Sequence, residues 1–349
     1  MGRIDIDTPT DHHSKKNWQR VVIGLAVSLI SIGLLIYFTD LKRFIQTLEM
    51  ANYPLVAAAA AITLLWLAVR GIVWRVLLLE KATYSQVYLT LNEGYLLNNF
   101  LPFRLGEVGR AFLLGRKARL DFWQVLSSIL IERALDVAIA SGLLLGSLPF
   151  VVGASWARQA APLSAAIIVL VFLALVWLAR NRQPAEQLFQ RLSNRWAPLK
   201  RLGIVSVPAF FNGLAVLTDM RRFLKATTWM LVNWLVAGGQ YFVFLRAFSP
   251  DARPLWALFS LGVSSLGIAA PSSPGAVGVL EISLVGSLAL FGVNPSISLA
   301  FALTMHLCQY LITGVIGVYA LVKDGESLAS IYLRTRNLPS GGESTPPPI

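Results

Sequence analysis

The chain has 349 residues, of which 56% are hydrophobic and only 14% are charged, and its formal net charge is +12. Soluble domains contain about 25% charged residues, so this composition excludes an ordinary water-soluble globular protein. Cys308 is the single cysteine, which excludes an intramolecular disulfide.

Long apolar segments recur through most of the chain. Each is about 17–27 residues long, which is enough to cross about 30 Å of hydrocarbon. These segments are residues 21–39, 53–69, 122–145, 160–178, 226–245 and 296–322. One such segment can be a signal peptide or a buried helix, but this many predict an all-α polytopic membrane protein with about six full spans.

Lysine and arginine collect in a few segments between the apolar ones, namely 1–20, 104–119, 180–225 and the C-terminal tail. The positive-inside rule places these segments in the cytoplasm. The prediction is a cytoplasmic tail at 1–20, a transmembrane domain at 21–323 that includes the basic loop 180–225, and a disordered tail at 324–349. We expect a bacterial-type inner (plasma) membrane with both termini cytoplasmic. The basic charge then reflects topology and anionic lipid, not nucleic acid.

This orientation leaves two further apolar stretches that must begin and end on the same side. One comprises 84–101 with 105–119, and the other is 255–292. Either each forms a re-entrant hairpin, which brings the total to about eight hydrophobic segments, or the first crosses and the charge rule fails there. The second stretch is interrupted by Pro271-Ser-Ser-Pro-Gly275, which no continuous helix accommodates. Such a break in lipid survives only where protein buries it or where it borders a wet cavity.

The two hairpins share the pattern P-x-x-x-G-x-V-G, at residues 102–109 and 271–278. This pattern favours an inverted-topology repeat with halves at about 21–145 and 160–323, whose broken segments meet near the bilayer midplane. The residues predicted to shape the two tips are Pro102, Gly106, Gly109, Pro271, Ser272, Ser273, Pro274, Gly275 and Gly278.

Charged and polar residues inside apolar segments are the candidate site, because a charge at mid-span costs about 2.5–3.5 kcal/mol on insertion scales. The candidates are Arg104, Glu107, Arg110, Glu132, Arg133, Asp136, Glu281, His306 and Gln309. Spacing predicts that Glu107 can pair with Arg110 and that Arg133 can pair with Asp136, because residues three apart share a helix face. The alternatives are static ion pairs that lock helices together and, for His306, an interhelical hydrogen bond.

Motifs of soluble enzymes are missing from the sequence. It contains no Walker motif, Gly-rich dinucleotide turn, HExxH or paired-cysteine metal spacing, and no G-x-S-x-G elbow. The largest loop, about 45 residues, is shorter than an ordinary catalytic domain. We therefore predict no catalytic residues, no cofactor and no metal, and a protein that is not an enzyme.

Three motifs together resemble the transmembrane region of lysylphosphatidylglycerol synthases, also called flippase-like membrane proteins. They are Asn99-Phe-Leu-Pro-Phe-Arg-Leu-Gly-Glu-Val-Gly-Arg110, Glu132-Arg-Ala-Leu-Asp136 and Pro271-Ser-Ser-Pro-Gly-Ala-Val-Gly-Val-Leu-Glu281. The resemblance covers about 20–325. It implies the part that moves aminoacylated phosphatidylglycerol between leaflets, without the soluble synthase domain, and it adds Asn99 to the candidate site. Stand-alone relatives in hopanoid and polyprenyl-glycan pathways leave the lipid open.

The sequence thus favours a lipid translocase whose arginines bind a phosphate, since guanidinium binds phosphate through two hydrogen bonds and stays charged when desolvated. The expected partners are membrane lipids: an anionic or aminoacylated phospholipid, or a polyprenyl or hopanoid-type lipid. Three alternatives stay open. They are a transferase with Glu132 or Asp136 as general acid or base, a non-catalytic partner of a lipid- or glycolipid-synthesis enzyme, and a small-solute carrier. A homo-oligomer is also left open.

Overall fold

The computed structural model describes residues 40–101, 105–152, 219–269 and 274–325, together with the single residues Gly33, Ala166 and Asn181. In this part of the chain all regular structure is helical. The predicted spans at 21–39 and 160–178, most of the basic loop, the N-terminal tail and all but the first two residues of the predicted C-terminal tail lie outside the described residues. So do Arg104 and four of the predicted tip residues, Pro102, Pro271, Ser272 and Ser273.

Nine α-helices are described, in two groups of different length. They are α1 (Leu41–Glu49), α2 (Tyr53–Leu77), α3 (Tyr84–Phe100), α4 (Leu105–Ala118), α5 (Phe122–Val152), α6 (Met220–Phe248), α7 (Pro254–Ala269), α8 (Val279–Ala289) and α9 (Pro295–Lys323), with a 3-10 turn at Pro274–Ala276. Four of them, α2, α5, α6 and α9, are long and apolar enough to cross a membrane. The others have at most 17 residues, or about 25 Å of helix.

Side-chain caps explain where several helices begin. Asn52 accepts a hydrogen bond from a backbone N–H in the first turn of α2, and Asp219 and Asn294 do the same for α6 and α9. Thr83 and Gln86 form a capping box at the start of α3. Each cap satisfies N–H groups that have no partner within the helix, so each helix starts at a defined residue.

One end of the bundle is strongly basic. Lys225 at the start of α6 forms an ion pair with Glu80 after α2, and Lys117 near the end of α4 contacts Asp324 after α9. These contacts place the C-terminal ends of α2, α4 and α9 and the N-terminal ends of α3, α5 and α6 together, and we call this the basic end. The described residues there include nine Lys and Arg against five Asp and Glu.

The opposite end is formed by the start of α2 and the end of α6. The Asn52 N–H donates to the Ala247 carbonyl at 2.9 Å. The Ser296 hydroxyl at the start of α9 donates to the Asp40 carbonyl at 3.3 Å. Charges at this end are nearly balanced, with four Lys and Arg against three Asp and Glu among the described residues.

Two helix pairs turn back inside the bundle. The first hairpin, α3–α4, begins and ends at the basic end, and Asn99 near its turn donates to Thr313 of α9 at 3.5 Å. The second hairpin, α7–α8, begins and ends at the opposite end, and its Gly275 carbonyl lies 3.1 Å from His306 Nε2 of α9. Thr313 and His306 are each about 15 Å from an end of α9 at 1.5 Å per residue. Both turns therefore lie near the middle of the same long helix.

The hairpins exchange partners between the two halves of the chain. The closing helix of the second half, α9, packs on α3 of the first hairpin, while the closing helix of the first half, α5, packs on α7 of the second hairpin. The α2 and α6 helices, which precede the hairpins, pack against each other. Each half is thus buried against the other, and neither hairpin packs only within its own half.

The structure corrects several predicted boundaries. The second predicted span continues to Leu77 and not to Val69, so Arg70 lies inside a helix instead of ending it. The basic loop ends before Met220, where α6 begins, and α5 extends past residue 145 to Val152. Basic residues do not end a helix by themselves, because their long side chains reach water or a partner while the backbone continues.

The glycines aligned between the two hairpins do not share a backbone conformation. Gly106 and Gly109 lie in the first turns of α4. Gly275, in the turn that Pro274 opens, has φ 66°, and Gly278 has φ 86°. Only the second pair requires glycine for its left-handed backbone, so the shared sequence pattern does not describe a shared local structure.

Candidate functional site

A cavity of about 260 Å³ lies between the two hairpin turns and the four long helices. Seven of the ten predicted binding residues line it: Asn99, Glu107, Arg110, Arg133, Asp136, His306 and Gln309. Glu132 and Glu281 are buried beside lining residues, and the tenth, Arg104, lies outside the described residues. The structure therefore brings together charges from both halves of the chain.

Glu132 is the acceptor that three arginines share. Its Oε1 accepts from Arg70 at 2.6 Å and from Arg133 at 2.6 Å, and its Oε2 accepts from Arg110 at 2.9 Å. The Glu132 side chain has no solvent exposure. This single carboxylate on α5 thus joins α2, α4 and α5, with every contact a charge-assisted hydrogen bond.

Arg70 on α2 is saturated with partners. Its Nη1 donates to Asp136 Oδ1 at 2.8 Å and lies 3.3 Å from Asn233 Oδ1, while Nη2 donates to both Glu132 and Asp136. Trp234 Nε1 also donates to Asp136, at 3.2 Å. Because its donors are occupied and its side chain is buried, Arg70 connects α2, α5 and α6 and has little capacity for a ligand.

Arg110 on α4 is buried against an aromatic face. Its guanidinium carbon lies 4.0 Å from the centre of the Trp74 ring, and the Trp74 indole donates to Ser128 at 3.1 Å. A Cβ on Gly94 would lie 2.2 Å from Arg110 Cγ, so α3 needs glycine there for the side chain to pass. Stacking on tryptophan stabilises a desolvated cation by about 2 kcal/mol.

Arg133 is the arginine that the cavity can use. Its side chain is 27% exposed, its Nε lies 3.5 Å from Glu107 and its Nη1 lies 3.4 Å from Asp136. Strong charge-assisted hydrogen bonds are about 2.7–2.9 Å long, so only its contact with Glu132 is of that kind. Arg133 therefore offers loosely engaged donors at the cavity wall, where an anion would find them.

The charges of the cluster balance. Three arginines, Arg70, Arg110 and Arg133, face three carboxylates, Glu107, Glu132 and Asp136. Balance matters because an unpaired buried charge costs several kcal/mol. Among the described residues no group of His, Cys, Asp and Glu is placed to hold a metal ion.

His306 on α9 fixes the second turn. Its Nε2 faces the Gly275 carbonyl at 3.1 Å, and its Nδ1 lies 2.5 Å from Glu281 Oε1. The other oxygen of Glu281 accepts from the Gly278 N–H at 2.7 Å. A carbonyl only accepts, so the contact with Gly275 requires the proton of the ring on Nε2. The predicted interhelical hydrogen bond of His306 is present, together with a contact to Glu281.

Replacing His306 with leucine is expected to lower the thermal midpoint of the detergent-purified protein more than replacing it with glutamine. Leucine leaves buried Glu281 without its partner and the Gly275 carbonyl without a donor, at about 1–3 kcal/mol for each unsatisfied group. Glutamine retains an N–H donor in this position. Equal midpoints for the two variants would show that neither contact stabilises the turn.

Several site residues were missed by the sequence prediction. Arg70 was left just outside the predicted span 53–69, although a charge between apolar residues was a usable signal. On α6, Asn233 donates to the Trp66 carbonyl at 3.0 Å, and Gln240 donates to Thr63 at 2.8 Å. Asn233 and Gln240 are seven apart and therefore share a helix face, and both line the cavity.

Together the fold and the site define a class of protein: a multi-pass helical membrane protein with a charged cavity halfway along its long helices. The family follows from a sequence comparison. The profile of the lysylphosphatidylglycerol synthase TM region matches residues 21–317, and the chain belongs to this family, as its three motifs predicted.

Three curated proteins that match this chain are only distantly similar to it, at 22–25% identity. Glycosyltransferase AglD of Haloferax volcanii is 25% identical over 89% of this chain, and the chain spans only 55% of that protein's length. UPF0104 membrane proteins of Methanothermobacter thermautotrophicus and Methanocaldococcus jannaschii are 25% and 22% identical over 86% of this chain, which covers 93% and 94% of their lengths. No solved structure matches the chain.

Proposed function

We propose that this protein moves a lipid head group between the two leaflets through the charged cavity. The observation that carries the proposal is the position of the cavity: two hairpin turns and the charged residues meet near the middle of helices long enough to cross the membrane. A head group that crosses about 30 Å of hydrocarbon needs a replacement for its hydration. A polar cavity at mid-depth supplies that replacement.

The proposal also includes the orientation of the protein in the membrane. The excess of lysine and arginine at the basic end supports a cytoplasmic location for that end. The first hairpin then enters from the cytoplasm and the second from the opposite side. The exchanged packing of α9 on α3 and of α5 on α7 supports an inverted-topology repeat. In such repeats one half rocks against the other around a central site, which gives alternating access.

The lining indicates the kind of head group. Arg133 suits a phosphate, while Asp136 and Glu107 on the same wall suit an amine. A cavity of about 260 Å³ has room for a polar head group but not for acyl chains. We propose a phospholipid with both charges in its head group, such as an aminoacylated phospholipid, whose acyl chains stay in the bilayer.

Replacing Arg133 with glutamine is expected to reduce the rate of leaflet exchange at least tenfold. The variant loses the one cluster cation with loosely engaged donors, and about 1.5–3 kcal/mol for a hydrogen bond to a charged group corresponds to a factor of about 10–100. The measurement is exchange of head-group-labelled phospholipids in proteoliposomes. Anionic, zwitterionic and lysyl-modified lipids are compared side by side.

Arg253→Gln is the matched control, because Arg253 lies outside the helices, next to α7, and is exposed. It removes the same charge far from the cavity and should leave the exchange rate unchanged. Equal rates for wild type, Arg133→Gln and Arg253→Gln would contradict a path through the cavity. Absence of exchange for every lipid, from folded wild-type protein, would contradict the translocase itself.

The name of AglD favours a second candidate, in which the chain participates in glycosylating a lipid. A role for Glu132 as general acid or base receives no support, because both its oxygens accept from arginines and it does not line the cavity. A non-catalytic partnership with a glycosyltransferase fits better. Formation of a glycosylated polyprenyl lipid by the purified chain alone would favour the transferase. Loss of a partner enzyme's activity on deletion of this chain, with normal activity for Arg133→Gln, would favour the partnership.

A further inference from the structure

A second buried cluster of charges lies at the basic end, apart from the cavity. Lys117 Nζ on α4 donates to Glu93 Oε2 on α3 at 2.6 Å and to Thr90 Oγ1 at 3.1 Å. The same ammonium contacts Asp324, the residue that ends α9. None of these four residues lines the cavity. The cluster therefore joins the base of the first hairpin to the end of α9.

The cluster has one carboxylate too many. Two carboxyl groups, Glu93 and Asp324, face one ammonium, and the Glu93 side chain has no exposure at all. Glu93 Oε1 is buried and has no donor among the described residues, while Asp324 Oδ2 is the oxygen that contacts the Lys117 ammonium. If both carboxyl groups were ionised, the fully buried Glu93 would share the charge of Lys117 with a second carboxylate, and like charges disfavour each other's ionised form.

We propose that Glu93 and Asp324 form a proton-binding site, in which one proton shared between their carboxyl groups completes the neutralisation that Lys117 begins. The proton makes the Glu93 carboxyl group a donor, and Asp324, which lies within hydrogen-bonding reach of it, is the acceptor. A metal cation suits the site less well, because the Lys117 ammonium already occupies the space between the carboxyl groups and would repel it.

The environments of the two carboxyl groups decide which of them carries the proton. Partial burial alone would raise the pKa of Asp324, but hydrogen bonds with Lys117 and Glu93 and the nearby Lys323 outweigh it and leave that pKa below its ordinary value. Asp324 is also 24% exposed, whereas Glu93 is fully buried. The proton therefore resides on Glu93, and the ionised Asp324 accepts from it.

Release of this proton would weaken the contact between the first hairpin and α9. The same two helices meet at the cavity, where Asn99 faces Thr313. They also pack closely in between, since a Cβ on Gly317 would lie 2.8 Å from the Asn92 carbonyl. The partial exposure of Asp324 and Lys117 opens the site to protons from the basic end. This inference concerns proton binding only and stands whether or not the cavity passes lipid.

Infrared spectroscopy of the whole protein in lipid tests the site directly. A protonated carboxyl group has a carbonyl stretching band distinct from that of a carboxylate, and we record it at a series of pH values. Wild type should show such a band that disappears reversibly as the pH rises. Glu93→Gln should lack it, because the amide replaces the protonated acid. Asp251→Asn, which removes an exposed carboxyl group at the opposite end, is the control and should keep it.

Asp324→Asn provides a second, independent variant if Glu93→Gln does not fold. Without Asp324 the charges of Glu93 and Lys117 balance, so Glu93 ionises and the band is again lost. A wild-type spectrum with no titrating carboxyl band overturns the proposal. A band that persists unchanged in either folded variant overturns it as well, because the proton then belongs to another group.

Discussion

Replacing Glu132 with glutamine is expected to destabilise the protein by about 3–5 kcal/mol, the typical cost of removing one partner from a buried ion pair. The cluster changes from balanced to a net charge of +1 in the interior. An amide also turns one acceptor into a donor, so its NH2 group must face either Arg110 or the pair of Arg70 and Arg133. No rotation of the amide satisfies all three arginines.

Glu107→Gln is the matched control, because it removes the same charge from the same cluster. Glu107 Oε1 lies 3.5 Å from Arg133 and its side chain is 20% exposed, so water replaces the lost contact. The measurement is the thermal midpoint of each variant in detergent, with folded yield as a second readout. Similar decreases in thermal midpoint for the two variants would contradict the role of Glu132 as the shared acceptor. They would show that only the total charge of the cluster matters.

The two carboxylates differ in what their surroundings allow. Glu132 holds helices together, whereas Glu107 lies at the cavity wall, where a ligand would bind. Glu132 and Arg70 are buried with their hydrogen-bonding atoms occupied, and their hydrogen bonds connect different helices. Arg133 and Glu107 line the cavity with longer contacts. A ligand phosphate that displaces Glu107 from Arg133 breaks one weak contact, whereas displacement from Glu132 would break a strong one. Static pairing thus describes Glu132 and Arg70, while the proposed transport path would involve Arg133 and Glu107.

The sequence was sufficient to predict a membrane protein, because the length of each apolar segment can be read without knowledge of the fold. Four predicted spans correspond to described helices, with ends that differ by up to eight residues. The ends shift because the charge pattern marks where side chains reach water and not where the backbone stops being helical. Arg221, Arg222 and Lys225 illustrate this, since they were assigned to a loop and lie in α6.

The pairing of Arg133 with Asp136 was also predictable. Glu132, Arg133 and Asp136 lie within two turns of one helix, so their proximity required no knowledge of the fold. Arg70 was not recognised, because its partner Glu132 is 62 positions away in the chain. An arginine near the end of an apolar segment has two meanings, a marker of the cytoplasmic side or a buried charge. Only the packing of α2 against α5 and α6 distinguishes them.

At the two hairpin turns the sequence predicted the location but not the local structure. The shared glycine pattern pointed to the two places where the hairpins meet the cavity, yet the reason for each glycine differs. Gly275 requires glycine because its φ is 66° and the Tyr310 hydroxyl occupies the space of a Cβ. Gly106 requires it because another backbone passes close by. A one-letter pattern records the need for glycine but not its cause.

Replacing Gly106 with alanine is expected to disrupt the first hairpin. The added Cβ would lie 2.1 Å from the Gly94 carbonyl oxygen and 2.5 Å from Asn98 Oδ1, which accepts from the Gly106 N–H at 2.8 Å. Neither α3 nor α4 can yield by a side-chain rotation, because the closest atom belongs to the backbone. Overpacking typically costs about 1–3 kcal/mol, and separation of the helices would also displace Arg110 from Glu132.

Gly314→Ala in α9 makes the same chemical change where no atom lies within 4 Å of the added Cβ. In a helix interior alanine is more favourable than glycine by about 0.5–1 kcal/mol. The two substitutions should therefore shift the thermal midpoint in opposite directions, and only Gly106→Ala should slow lipid exchange. If Gly106→Ala matched wild type in both measurements, α3 and α4 would not be in backbone contact at the turn, and Arg110 would need another explanation for its burial. A loss of exchange with an unchanged midpoint would instead show that the close contact of the two helices serves the movement of the hairpin more than its stability.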